Sequence, residues 1–519
     1  MRPQDGVDVL AYDVSLTVAP DAPAGGGSGR MALAGTARLH VRHTPNTEAL
    51  VLRFEEPDQL KALRVNDVPV EAVREGDLLR VPLTPSSDVG DTLSTVEVGY
   101  VVQDRRNDGL YVEEAFGQTV TLTDSQFLRG ASWLPAVHHP ADPAALRLSI
   151  TAPDSLEVVA SGALVADTLV ADASDGVPRG WRRWTYTVDA AVPVYTFAFA
   201  VADFATTEQA VTLPSGATIP IRHHLLAADS AAARWLVRTP ETLAYFDSTL
   251  GPYAFDTYAT AQVPIPFAGM ENAATSFLRH DLYGESYRGQ NIVEEVNVHE
   301  IAHMWFGNRV TIRDYADLWL SEGIVSYLTT LFYEAADGPD VARRLWVRMA
   351  EFDTGNDLFD ARQALVPDAL EDPMDLIGAT VYLKGGCVNH LLRLTLGDDA
   401  YFRALRRAYA AYGIDQRPLS TVAFQTLLED ESGHDLDAFF AYWVYGTEIP
   451  TLRARWDDST GLLAWTVEDD NGLLAGFPIE LEVTQEGETS YVSLAAGQTT
   501  LPGTRLPSIR PVGVPMRVR

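Results

Sequence analysis

Residues 299–303 read His299-Glu300-Ile301-Ala302-His303, and a further acid, Glu322, follows after 18 intervening residues. Side chains four apart stack along one face of a helix, so the two imidazoles point the same way. Two neutral imidazoles and a carboxylate make a three-ligand tetrahedral zinc site with one position left open for water. Glu300 sits beside the first histidine and is free to act as base toward that water. The spacing therefore predicts metal-assisted hydrolysis with one Zn2+ per chain, held by His299, His303 and Glu322.

The flanking sequence supports this. A helical stretch over Asn291–Gly307 ends in Gly307-Asn308, a usual stop signal. Glu322 lies in a second helical pattern, Leu318 to Ala336, closed by Gly338. Two antiparallel helices joined by a short strand-like link, Arg309–Arg313, are expected to carry Glu322 to the metal.

The chain has 519 residues, too many for one core, so two to four domains are expected. It is 46% hydrophobic and 21% charged, as in a globular enzyme. No apolar run approaches the ~20 residues a membrane span requires. Met1-Arg2-Pro3-Gln4-Asp5 lacks the apolar core of a signal peptide, which leads to the expectation of a cytoplasmic protein; the alternative is an exported one whose signal is absent from this chain. The single Cys387 excludes an internal disulfide and reads as a small buried side chain.

The net charge of −32 is extreme, and only two of the 39 basic residues are lysines, Lys61 and Lys384. Without a basic footprint, nucleic-acid binding is not expected. One reading is a halophilic, acidic surface whose self-repulsion is screened by concentrated ions; the other is an acidic protein of an ordinary cytoplasm. Such a field would draw cationic peptides and repel acidic ones.

Residues 7–203 alternate polar and apolar positions between Gly, Pro and Asp turns, as in Val7–Val18, Met31–His40 and Trp184–Val188, and predict a β-rich domain over 1–205. Within it, Pro23-Ala24-Gly25-Gly26-Gly27-Ser28-Gly29 reads as a hairpin loop. The pattern changes near Phe204. Helical stretches are predicted at 230–249, 290–307, 318–336, 339–353, 381–396 and 399–412, with two more within 421–446, so that 206–450 forms a second domain. After Pro450 alternation returns (Leu452–Trp456, Leu462–Val467, Ile479–Val483, Tyr491–Leu494), and 451–519 suits a small antiparallel sandwich. The fold class is a multidomain α+β chain.

A second cluster lies upstream of the histidines: Ala268-Gly269-Met270-Glu271-Asn272. Glycine lets extended backbone lie close to a peptide ligand. Glu271 can pair with the α-amino group of a substrate, which is largely protonated near neutral pH. Such a pair sets the distance from a free N-terminus to the metal and makes an exopeptidase.

With these motifs the chain resembles the aminopeptidase N family of gluzincin zinc peptidases, which includes the bifunctional leukotriene hydrolases. The resemblance runs over nearly the whole chain. It rests on Gly269-Met270-Glu271-Asn272, on His299 through Asn308 with Leu318-Trp319-Leu320-Ser321-Glu322-Gly323, and on Tyr382-Leu383-Lys384-Gly385. It implies a saddle-like N-terminal β domain, a thermolysin-like mixed α/β catalytic domain and a small C-terminal β-sandwich. It implies Glu300 and Tyr382 as catalytic residues, Tyr382 donating to the developing oxyanion, and peptides with a free N-terminus as substrates. The plain alternative for Tyr382 is a helix-start aromatic packed in the core.

Gln126, nine residues before Pro135, is similar to a family position that helps hold the N-terminal amine; the alternative is a solvated loop glutamine. His138, His139, His280 and His390 match no ligand spacing and read as structural or surface residues. Two features depart from the family pattern. Thr329 stands where many members carry a glutamate that orients a metal ligand, leaving Asp317 or an unidentified residue for that task. The expectation is a compact form without the helical C-terminal domain of larger members, and hence a more open cleft. Two rival readings remain: a metallo-endopeptidase, against which Glu271 speaks, and a non-catalytic scaffold, which has no need of Glu300 between the histidines.

Overall fold

The computed structural model describes residues 4–20, 31–83, 91–103, 109–170, 180–287, 290–350, 363–414, 417–448, 450–468, 480–493, 498–500, 507–514 and 517–518. The hairpin loop expected at Pro23–Gly29 lies outside the described residues, as do 351–353 of one expected helix. The chain is a multidomain α+β protein and divides into two compact units, residues 1–311 with 412–418, and residues 312–411 with 419–519. The division differs from the three expected domains: it falls inside 206–450. The reason is packing, because the helix carrying both histidines is built onto a β-sheet, whereas the helices after it pack on one another.

In the first unit an eight-stranded sheet runs in the order Ala163–Leu169, Trp181–Val192, Ala144–Pro153, Val7–Pro20, Met31–His43, Thr92–Gln103, Gln59–Val65, Val68–Pro69. Period-two alternation drives it, with Tyr12, Val14, Leu16 and Val18 buried and their neighbours turned outward. Val9 is also buried, three positions before Tyr12; the register slips between Val9 and Ala11, and that bulge lets both face inward.

A five-stranded sheet in the same unit positions the chemistry. Its order is Phe204–Thr212, Thr218–Leu226, Tyr258–Val263, Thr275–Arg279, Gly269–Met270, the last strand antiparallel to its neighbour with Gly269 opposite Leu278. Two helices accompany it, α1 (Thr239–Leu250) and α2 (Ile292–Ala302). The helix expected over 230–249 is broken: a 3-10 segment, Ala227–Trp235, precedes α1, which begins with Pro240 in its first turn. Proline lacks an N–H and disfavours helix in the residue before it, so the apolar pattern could not run through.

The second unit holds α3 (Trp319–Asp337), α4 (Pro339–Ala350), α5 (Gly385–Leu396), α6 (Asp398–Ala408), α7 (Thr421–Ser432) and α8 (Asp437–Trp443). Helix α5 is entered through a π-turn, Thr380–Lys384. Strands after residue 450 form a four-stranded and a three-stranded sheet. Arg343 of α4 donates from Nε to Glu480 at 2.8 Å, and Gly513 lies against the buried His390 ring, which faces Trp346 at 4.4 Å. Among the described residues no helix is long and apolar enough to cross a membrane.

Candidate metal and peptide-binding site

Helix α2 starts at Asn291, whose side chain accepts from the Glu294 N–H, and ends at Ala302 with His303 as its C-cap. It is shorter than expected, yet the cap stays helical. The His303 N–H donates to the His299 carbonyl at 3.2 Å, so the four-residue spacing keeps its geometry. The two Nε2 atoms lie 3.1 Å apart and the ring planes meet at 79°. Two nitrogens bound at ~2.05 Å with a tetrahedral angle would be separated by about 3.3 Å, so the pair fits a single zinc ion.

What orients His303 was not legible in the sequence. Its Nδ1–H donates to the Phe306 carbonyl at 3.0 Å, which leaves Nε2 as the lone-pair nitrogen. The carbonyl is turned back by a tight turn in which Gly307 takes φ +122°, a conformation that favours glycine. Asp317 accepts from both the N–H and the hydroxyl of Thr421, and the Thr329 hydroxyl donates to Val325 within its own helix.

Glu300, buried on α2, faces the sheet edge. A Cβ placed on Gly269 would overlap Glu300 Oε1 and stand 2.6 Å from Val296 Cγ1, so the edge strand runs directly against the glutamate. Glycine at 269 is thus required by close approach. Met270 is buried beneath this edge. Glu271, also buried, follows, and one ligand-type atom from each of Glu271, Glu300 and His303 falls within 4.8 Å of the others.

The turn carrying Glu271 is held by backbone. Ala273 N–H donates to Thr196, Gly162 N–H donates to Ala273, and Thr275 N–H returns to Asn272. Asn272 is buried with it. The turn is also held by Asn308, whose Nδ2 donates to the Glu271 carbonyl at 3.0 Å. The sequence marks Asn308 as a helix stop and as the end of the zinc motif, not as a partner of Glu271.

Gln126 sits half-buried on an ordered loop. Asp124 accepts the Gln126 N–H at 2.8 Å and Arg129 Nη1 at 2.6 Å, and Ser125 donates to the Phe197 carbonyl. No hydrogen bond joins Gln126 to Glu271 among the described residues. His138 is buried with Nε2–H donating to Leu134, and burial pushes its pKa down to about 4. His139 accepts the Ala141 N–H, and His390 meets the Tyr327 hydroxyl. His280 lies half-buried beside the Phe116 ring.

In the second unit, Glu322 is buried in the first turn of α3. Gly323 beside it would, as alanine, place its Cβ 2.9 Å from Gly385 Cα and 3.0 Å from the Val381 carbonyl. Two glycines thereby let α3 contact the π-turn that carries the half-buried Tyr382.

Residues 236–443 match the model of the peptidase family M1 domain. The chain is 26% identical over 446 residues to aminopeptidase B of Mus musculus, a match covering 78% of this chain and 63% of that protein. It is 28% identical over 240 residues to aminopeptidase N of Streptomyces lividans, covering 44% and 26%. A mutant M1 zinc metallopeptidase from Deinococcus radiodurans, solved with a Tyr-Ser-Ala substrate, superposes with a TM-score of 0.70 at 25% identity, covering 86% of this chain and 96% of that one. The chain spans less than two thirds of the length of the aminopeptidase B relatives it matches, 45–63%.

Proposed function

We propose that this chain, an M1 peptidase of the aminopeptidase N type, is a zinc-dependent hydrolase that removes the N-terminal residue from peptides. The observation that carries the reading is the grouping of Glu271, Glu300 and His303 beside a histidine pair spaced for one ion. His299, His303 and Glu322 are the proposed ligands, and Zn2+ when bound supplies Lewis acidity and lowers the pKa of a bound water to about 7.

The protein's own groups divide the remaining work. Glu300 takes the proton from water and returns it to the leaving amine. Glu271 pairs with the protonated N-terminus, and the edge strand Gly269–Met270 with the following Asn272 lies along the peptide backbone. Tyr382 donates its hydroxyl to the oxyanion that develops on the scissile carbonyl. Gln126 adds an uncharged carbonyl acceptor, so Glu271 carries most of the recognition of the amine. The acidic composition is read as salt adaptation, and its support is the charge of −32 with almost exclusive use of arginine for cations.

A panel of chromogenic amino-acyl amides, each with an N-acetylated counterpart, assayed with and without chelator, tests the reading. Chelator-sensitive cleavage of the free-amine members alone is expected. Equal cleavage of the acetylated members would replace the exopeptidase with an endopeptidase, and no turnover at all would leave a scaffold.

A further inference from the structure

Lys384 is fully buried, and nothing in the chemistry above uses it. Its ammonium donates to the Gln363 carbonyl at 2.8 Å and to the Gly446 carbonyl at 3.0 Å. Those two acceptors belong to segments that already meet, since Leu365 and Val366 N–H both donate to the Val444 carbonyl. Lys384 closes this junction and roots it in the π-turn Thr380–Lys384, two residues after Tyr382. The same turn is held at a second point by the glycine contact between Gly323 and Gly385, next to Glu322. Gly446 suits its part, because a Cβ there would overlap the Tyr442 carbonyl.

The choice of lysine is itself informative. Only two of the chain's 39 basic residues are lysines, and the other, Lys61, is exposed. At 384 the chain departs from its own habit. A compact ammonium reaches two nearby carbonyls from one point, whereas a planar guanidinium presents a wide, rigid fork. Burial lowers the Lys384 pKa to about 8, so the group is still mostly charged at neutral pH, and charge-assisted bonds are the stronger kind.

We infer that Lys384 is a positioning residue for Tyr382, fixing the π-turn through the Gln363 and Gly446 carbonyls so that the tyrosine hydroxyl is held at the reacting carbonyl. The inference rests on the proposed aminopeptidase reaction. A misplaced donor loses transition-state stabilisation without weakening substrate capture, so kcat should fall while KM stays.

The test is a double-mutant cycle on the full chain, with zinc content and melting temperature measured for each variant. Lys384→Met is expected to keep wild-type zinc and KM within about twofold and to lose roughly 10–100-fold in kcat. Tyr382→Phe is expected to lose ~10²–10³-fold. The double variant should be no slower than Tyr382→Phe alone, because the lysine acts through that hydroxyl. Lys384→Arg should fail to restore kcat. Wild-type kcat in Lys384→Met, or losses that multiply in the double variant, would overturn the inference. If Lys384→Met does not fold, Lys384→Gln takes its place in the same cycle. Wild-type protein without chelator-sensitive turnover would instead overturn the parent reading, and this one with it.

Discussion

Asn308 Nδ2 donates to the Glu271 carbonyl at 3.0 Å, tying the turn that ends the histidine helix to the segment that carries the carboxylate proposed to bind the amine. The bond fixes backbone, so it bears on where the Glu271 side chain starts. Asn308→Ala should raise KM for free-amine substrates about fivefold, the equivalent of one neutral hydrogen bond of ~1 kcal/mol, with zinc content unchanged. Steady-state kinetics against a chelator-titrated zinc assay checks this; an unchanged KM would mean that the Ala273 backbone bonds to Thr196 and Gly162 suffice.

Glu300 is the proposed base, and its removal should separate metal binding from turnover. Glu300→Gln is expected to bind zinc as the wild type does and to lose ~10²–10⁴-fold in kcat. Substantial residual turnover in a zinc-loaded variant would remove Glu300 from that role.

Gly269→Ala tests the closeness of the edge strand to Glu300. The added methyl overlaps Glu300 Oε1 and crowds Val296, so either the strand or the glutamate must move. Overpacking of this kind typically costs ~1–3 kcal/mol, and here the cost should appear mainly in kcat because the displaced atom belongs to the proposed base. A variant with normal kcat would show that the strand yields without disturbing Glu300.

Asp142, bonded to the strand Val7–Pro20, provides a pH prediction. Its carboxyl is buried, accepts the Val9 N–H at 3.2 Å, and has its pKa raised to about 8, chiefly by burial. The unfolded chain ionises this group near pH 4 while the folded chain keeps it neutral, so folding stability is present below pH 4 and is lost as pH rises toward 8. Asp142→Asn removes the titration and can still accept from Val9. Denaturant unfolding should show the variant gaining on the wild type from pH 4 to pH 8, by at most about 1.4 kcal/mol per pH unit. A difference that stays flat with pH would show the group to be hydrated and ionised.

The metal motif was legible because its information is local. A four-residue spacing puts His299 and His303 on one helical face whatever surrounds the helix, and strand alternation is legible for the same reason. Asn308 and Glu271 are 37 residues apart, and nothing in either neighbourhood marks their bond. The break before Pro240 was a local signal outweighed by a continuous apolar pattern.

From residue order alone came the proposed ligand types, the proposed base beside them, the acid proposed for a free amine, and the succession of β, helical and β segments. The tertiary structure alone decided how close these groups stand: Gly269 against Glu300, the Phe306 carbonyl on His303, and Lys384 bridging Gln363 and Gly446. Periodicity encodes which way a side chain faces. Distance between segments far apart in the chain is set by how whole faces pack, and no short window of sequence contains that information.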